Sequence, residues 1–235
     1  MRTVFFYLIF GPYCVLLMLL GILASFVSQR AFRRCVWLWG KGWLAIAGTR
    51  VRVHGREHLP PGPPAIYMAN HQSNFDIPLL LTVLDDHFGF LAKIELYRVP
   101  LLRRSMIQLN CLPIDRSNRK KAMVSMERAA RLIHDGQSVA LFPEGTRSVD
   151  GQLLSFKKGG FVLALKAGVP VVPIAIHGTC HAMRKKSWCI RAARVDVTIC
   201  PPIPTAGLSE EDRDSLLAQV ETAIRDGLEA FAPSC

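Results

Sequence analysis

Apolar and polar positions along the 235 residues fall into two regimes that meet near residue 50. From Thr3 to Val27 the chain runs for 25 residues without a charge, followed by Arg30, Arg33 and Arg34. At about 1.5 Å per residue, a helix of that length reaches across a ~30 Å hydrocarbon core. A cleaved signal peptide would have an apolar region of ~7–15 residues with its positive charges in front. Here the charges come mainly behind, and the positive-inside tendency puts that end on the cytoplasmic side. Pro12, preceded by Gly11, permits a kinked or re-entrant hairpin in place of a straight span. Residues 32–47 then set Trp37, Trp39 and Trp43 beside Arg33, Arg34 and Lys41, the mixture expected of a helix lying at a membrane interface. The competing reading makes these tryptophans core of the globular part. Residues 1–50 are therefore expected to form membrane-embedding helices, and residues 51–235 a separate catalytic domain.

Beyond residue 50 short apolar runs alternate with amphipathic stretches. Val51 to His54 alternates like a strand and leads into the turn-rich run Leu59 to Pro64. Strands are predicted near 65–69, 88–92, 111–114, 138–142, 171–176 and 194–199, and helices near 76–84, 98–108, 119–135, 159–167 and 209–230. That order predicts an α/β fold: a mixed, largely parallel sheet flanked by helices, with an N-terminal membrane-embedded helical segment.

Composition sharpens this picture. Half of the residues are hydrophobic and the formal net charge is +11, which excludes a disordered tail and implies an anionic partner. The excess is uneven: residues 208–235 hold seven carboxylates against two arginines, a net of −5, so residues 1–207 carry +16. A nucleic-acid partner is not expected, because charge is its only support and no helix-turn-helix, aromatic RNA platform or zinc finger is present. Seven scattered cysteines form no disulfide framework and suit a reduced, cytosol-facing domain. His177, Cys180, His181 and Cys189 lack the regular four-ligand spacing of structural zinc, so no metal is expected.

The candidate chemistry lies just after predicted strands, where ligands sit in open α/β sheets. After the run Ala65 to Ala69 comes Asn70-His71-Gln72-Ser73-Asn74-Phe75-Asp76. On one continuous helix His71 and Asp76 would point ~140° apart, but across a loop entering a helix they can meet. A neutral histidine held by a carboxylate is a general base able to take a hydroxyl proton. No Gly-x-Ser-x-Gly elbow supplies a protein nucleophile, and Ser73 reads as a turn or cap residue. The pair therefore suits direct transfer to a substrate hydroxyl.

A second loop, Phe142-Pro143-Glu144-Gly145-Thr146-Arg147-Ser148, follows the run Ser138 to Phe142. Gly145 allows a tight turn, Thr146 can donate a hydrogen bond, and Arg147 offers a planar fork for phosphate oxygens that Glu144 could hold in place. Ile114-Asp115-Arg116 brings a second guanidinium. Two arginine loops and a His–Asp loop on one sheet edge describe a site for a phosphorylated alcohol.

These residues resemble the 1-acylglycerol-3-phosphate acyltransferase family of glycerolipid acyltransferases, over most of residues 50–205. Asn70 to Asp76 matches its Asn-His-x-Ser-x-x-Asp block, which implies His71 as base and Asp76 as its orienting partner. Asn110-Cys111-Leu112-Pro113-Ile114-Asp115-Arg116 matches a second block and implies that Arg116 binds the glycerol phosphate; Asn110 stands where the family more often has Gly, a turn that asparagine tolerates. Phe142 to Ser148 matches a third block, with Glu144, Gly145 and Arg147 similar to the acceptor-phosphate site. Val169 to Ile174 looks like a fourth, on the acyl-chain side. Lys93, and Lys158 at the start of a helix, are further candidates for ligand contact. The resemblance implies an enzyme of phospholipid biosynthesis without metal or cofactor. It would move a fatty acyl group from acyl-CoA or acyl carrier protein to the sn-2 hydroxyl of lysophosphatidic acid, giving phosphatidic acid among membrane lipids. Acceptors other than lysophosphatidic acid, and a lipid-binding scaffold without turnover, are the alternative readings.

Overall fold

The computed structural model describes residues 1–62, 64–84, 87–115 and 117–231, without the side chains of Leu101 and Arg119. Seven strands form one sheet: β1 (Arg50–His54), β2 (Ile66–Ala69), β3 (Phe88–Lys93), β4 (Leu112–Ile114), β5 (Ser138–Leu141), β6 (Val171–His177) and β7 (Arg194–Ile199). Their spatial order is β1-β7-β6-β2-β5-β3-β4. Every neighbouring pair is parallel except β6 and β7. The mixed, largely parallel sheet predicted from alternating strands and helices is thus the fold observed. One consequence decides where the chemistry falls: β6, β2, β5, β3 and β4 run in one direction, so the loops leaving all five emerge at one edge of the sheet.

Both faces of the sheet are covered. On β2, Tyr67 and Ala69 join one apolar cluster while Ile66 and Met68 join the other, the pattern of a strand buried on both sides. The first face is packed by α1 (Arg2–Ala24), α2 (Gln29–Ala47) and α3 (Asp76–Val83), which contribute Phe6, Leu44 and Leu79 among others. The second carries α5 (Arg119–His134), α6 (Gly159–Ala167) and α8 (Arg213–Glu229), through Ile133, Phe161 and Val220. Helix α4 (Pro100–Gln108) follows a 3-10 turn at Ile94–Arg98, and α7 (Thr179–Ala182) is one short turn after β6. Neither 3-10 turns nor a four-residue helix leave a periodic signal, so the helices predicted from residues 98 and 209 begin later, at Pro100 and Arg213.

Helix α1 is continuous through Pro12, and the chain reverses at residues 25–28, where the Ser28 hydroxyl accepts from the Arg30 amide at 3.1 Å and caps α2. Only 17% of the most apolar stretch of α1 is buried, unlike a core helix. Both of its ends are nonetheless tied to the α/β unit. Arg2 donates to the Ala47 carbonyl at 3.3 Å and Thr3 bonds the Ile190 amide at 3.1 Å; at the other end the Arg104 guanidinium lies 4.0 Å from the Phe26 ring centroid. The helix therefore lies along the domain instead of projecting from it. The tryptophans divide between the two readings made of them: Trp43 packs against Phe10 and Phe75, while Trp37 is exposed beneath the Lys41 ammonium.

Candidate active site

Asp76 opens α3 and is fully buried, yet every hydrogen bond of its carboxylate is accounted for. Its Oδ2 accepts from the Gln72 and Ser73 amides, each at 2.8 Å, and lies 2.7 Å from His71 Nδ1. Its Oδ1 accepts from the Thr179 hydroxyl at 2.5 Å. Two amides and a hydroxyl around one carboxylate make it an acceptor on every side, so the hydrogen between it and the imidazole belongs to Nδ1. The lone pair of the neutral ring is then on Nε2, which has no protein partner among the described residues. The loop closes the five-residue gap between His71 and Asp76 as their spacing requires.

The rest of the histidine is equally constrained. Its ring stacks on Phe142, centroids 3.9 Å apart and planes 12° apart. Its carbonyl accepts from the Ser148 amide at 2.8 Å, and its own amide donates to Glu144 Oε1 at 2.6 Å. Glu144 was expected to hold the Arg147 fork; instead its second oxygen accepts from the Leu154 amide at 3.1 Å. The reason is burial: at 2% exposure a carboxylate takes the nearest backbone donors, which here brace the base. Desolvation raises its pKa to about 7, although both amide bonds pull the other way.

His71 lines a cavity of about 370 Å³, part of whose wall is apolar, made by Leu91, Ile114, Met126 and Leu141. Lys93, Gly145 and Lys157 line it as well. Neither lysine has an ionic partner among the described residues, and Gly159 and Gly160 bring the N-terminus of α6 to the same wall, where an anion is favoured. Gly145 has φ +68° and passes so close to Lys157 that a Cβ would stand 3.0 Å from its chain. Lys158 does not line this cavity: its ammonium reaches Asp214 at 3.2 Å, and its neighbour Lys157 stands at the wall. Arg147 is half-buried on the same loop, and its guanidinium has no partner among the described residues. Thr146 is exposed, and its hydroxyl accepts from Lys185 at 3.1 Å. Arg116 lies outside the described residues. Ser73 is engaged as a turn residue, donating to the Met183 carbonyl at 2.7 Å and accepting from the Phe75 amide at 3.3 Å.

Three contributors escape sequence reasoning. Thr179 arrives 103 positions after Asp76, delivered by the turn at Gly178, which has φ +95° and sits where a Cβ would strike the Arg194 carbonyl, so only glycine fits. Asn70 fastens the end of β2 to β6 through two bonds to Ile176, at 2.7 and 2.9 Å. Lys185 closes the Thr146–Arg147 loop by also donating to the Arg147 carbonyl at 2.5 Å.

A partly exposed histidine held by a buried aspartate at the carboxyl edge of a largely parallel sheet, with a basic cavity in front of it, defines a site that can deprotonate a hydroxyl beside an anionic group. The comparisons with known proteins agree in kind. The acyltransferase family model matches residues 50–177, and the chain belongs to that family. It is 36% identical over 178 residues to the 1-acyl-sn-glycerol-3-phosphate acyltransferase alpha of Ovis aries, covering 75% of this chain and 62% of the relative. It is 35% identical over 189 residues to the chloroplastic enzyme LPAT1 of Arabidopsis thaliana, covering 76% of this chain and 52% of the relative. The chain thus spans between about half and three-fifths of the length of these curated relatives. The crystal structure of the 1-acyl-sn-glycerophosphate (LPA) acyltransferase PlsC from Thermotoga maritima superposes with a TM-score of 0.87 at 32% identity, covering 100% of this chain and 96% of that one.

Proposed function

We propose that this protein transfers a fatty acyl group from a thioester, acyl-CoA or acyl carrier protein, to the sn-2 hydroxyl of 1-acylglycerol 3-phosphate, forming phosphatidic acid. The observation that carries the reading is His71, whose Nδ1 is held by Asp76 while Nε2 is left for a substrate at the cavity. Nε2 takes the proton of the acceptor hydroxyl as its oxygen attacks the thioester carbonyl; the carbon–sulfur bond breaks, and the thiolate leaves with the proton returned to it. No covalent link to the protein is needed, consistent with Ser73 being tied to Met183. Thr179 acts through Asp76 as a positioning residue, and Glu144 fixes the backbone of the base. Lys93, Lys157 and the α6 N-terminus supply positive potential at the cavity wall for the acceptor phosphate, with Arg147 and, from its place in the matched block, Arg116 completing the clamp. The apolar wall from Leu91 to Leu141 suits an acyl chain.

The same reading seats the α1–α2 hairpin in one leaflet of a membrane with the α/β unit on the cytoplasmic side. Its exposed apolar surface, including Val4, Leu8, Leu16 and Leu23, has the character of lipid-facing helix, and attachment at both ends fits lying in a leaflet better than crossing it. The direct test incubates the purified protein with labelled acyl-CoA or acyl carrier protein and a panel of acceptors: 1-acylglycerol 3-phosphate, glycerol 3-phosphate and lysolipids without a free phosphate. Labelled phosphatidic acid, lost in His71→Ala, is expected; another acylated product, or a His71→Ala variant of near-normal rate, overturns the assignment.

A further inference from the structure

At the opposite end of β3 from the His71 cavity, the hairpin and α4 enclose a second concavity. One part, about 200 Å³, is walled almost entirely by carbon and sulfur, from Cys14, Leu17 and Met18 of α1, Trp39 of α2, and Leu102 and Met106 of α4. The other, about 360 Å³, is lined by Arg30, Arg33, Arg34 and His87 around an apolar floor that includes Leu84 and Phe88. The two adjoin along a common wall of Val36, Leu81 and Leu109, and neither shares a lining residue with the His71 cavity. On β3 the second concavity is lined by Phe88 and the His71 cavity by Leu91 and Lys93, so the nearest lining residues of the two sites on that strand stand three positions, roughly 10 Å, apart.

The basic part carries charge without compensation on its own helix. Arg30 and Arg34 stand one turn apart on α2, where like charges repel, and α2 contains no acidic residue. Neither has an ionic partner among the described residues. Arg33 and His87 have contacts of their own, so the available charge is that of Arg30 and Arg34. Asp85 and Asp86, which join Leu84 to His87 in the sequence, lie outside the described residues; counted against the three arginines they still leave the lining net positive.

We propose that this concavity binds one anionic phospholipid, with the phosphate on Arg30 and Arg34 and part of one acyl chain running beside α1 into the carbon-walled chamber. The two halves of the site argue together. A soluble anion gains nothing from a chamber lined by Leu17 and Met106, and a neutral lipid gains nothing from two unpaired arginines. From Gly21 to Cys14, α1 offers about 10 Å of apolar wall, enough for part of a chain. The arginines follow directly on the hairpin turn at residues 25–28, as headgroup ligands must if the hairpin lies in a leaflet. The bound lipid would act as mortar between α1, α2 and α4. It is not the substrate, since His71 is absent from its walls, so the proposal stands or falls apart from the acyl-transfer reading.

Native mass spectrometry of the full chain in a neutral detergent, titrated with dioleoyl phosphatidylglycerol or dioleoyl phosphatidylcholine, tests it. One phosphatidylglycerol per chain is expected, bound at least tenfold more tightly than phosphatidylcholine, retained in the presence of inorganic phosphate and weakened when the dioleoyl chains are replaced by dihexanoyl. Arg30→Gln with Arg34→Gln should abolish the preference. Arg128→Gln with Arg131→Gln, which removes equal charge from α5, should keep it. Equal affinity for the two lipids, displacement by inorganic phosphate, indifference to chain length, or equal loss in both double variants overturns the proposal, and the lipid comparison decides it even if a variant fails to fold.

Discussion

The two ends of the central strands are built on opposite terms. At the carboxyl edge the buried polar groups nearest the base are all hydrogen-bonded: Asp76 through four contacts, Glu144 through two, Asn70 through two. At the amino edge, under the hairpin, the walls are largely carbon, the guanidiniums of Arg30 and Arg34 have no ionic partner among the described residues, and large side chains such as Leu23, Phe26 and Val27 stand exposed. Complete satisfaction allows one arrangement of the histidine and no other, which is what a proton transfer at a defined atom needs. Incomplete satisfaction leaves surfaces whose partners come from outside the chain. Substitutions at the first edge should therefore change rates, and those at the second should change stability or lipid dependence.

The largest break of that contrast is at the base itself. His71→Ala should lower kcat by about 10²–10⁴-fold while leaving the melting temperature within a few degrees, because the ring is only partly buried, at 16% side-chain exposure. Steady-state kinetics beside a melting curve separates the two, and unchanged kcat would remove His71 from the mechanism. Next comes Glu144. Burial raises its pKa in the folded state to about 7 from an ordinary carboxyl value of 4.5, so its ionisation is a cost borne by the folded state alone. The stability associated with its protonated form is complete below pH 4.5 and is lost as the pH rises through 7, by up to about 3 kcal/mol. Glu144→Gln cannot ionise. It should carry a constant cost for the lost Leu154 bond but a flatter stability profile between pH 4.5 and 7 than the wild type, measured by urea unfolding at each pH. Parallel profiles would show that Glu144 does not titrate in this window.

Thr179→Val tests whether satisfaction around Asp76 serves the rate. Losing a hydrogen bond to a charged group costs about 1.5–3 kcal/mol, so kcat should fall roughly 10–100-fold with the KM for the acceptor unchanged and the pH–rate profile displaced. Thr179→Ser, which restores the donor, should recover most of it. Equal defects in the Val and Ser variants would mean that the methyl group and packing matter, not the bond.

What could be read from the chain follows from how local each relation is. His71 and Asp76 lie in one loop, so their pairing depends only on a turn of five residues. Thr179 reaches the same carboxylate because β6 lies beside β2, a neighbour relation that no spacing encodes. Glu144 and Arg147 are close in sequence, which favours pairing them; burial of the carboxylate and the amide of a residue 73 positions away decide otherwise. Between Lys157 and Lys158 composition offers no choice at all. The register at which α6 begins turns one toward the cavity and the other toward Asp214. The alternation of strands and helices, by contrast, repeats over the whole domain, and the sheet follows from it.

The smallest effect belongs to the amino edge. Asn110, in the turn entering β4, adopts φ +57°, the left-handed region that its place in the matched block anticipates. Its carbonyl accepts from the Gln137 side-chain Nε2, and the backbone of the turn crosses so near Gly89 of β3 that a Cβ there would strike it. Glycine removes the steric penalty of that conformation but gives the unfolded chain more freedom to lose, so the two effects oppose each other. Asn110→Gly should change the unfolding free energy by less than about 1 kcal/mol, whereas Asn110→Ala, which keeps the Cβ and loses the polar side chain, should cost about 1–2 kcal/mol. In both variants kcat should match the wild type, because the turn lies at the end of the sheet away from His71. A fall in kcat without loss of stability would mean that strain at the amino edge is transmitted along β4 to the catalytic cavity, where Ile114 forms part of the wall.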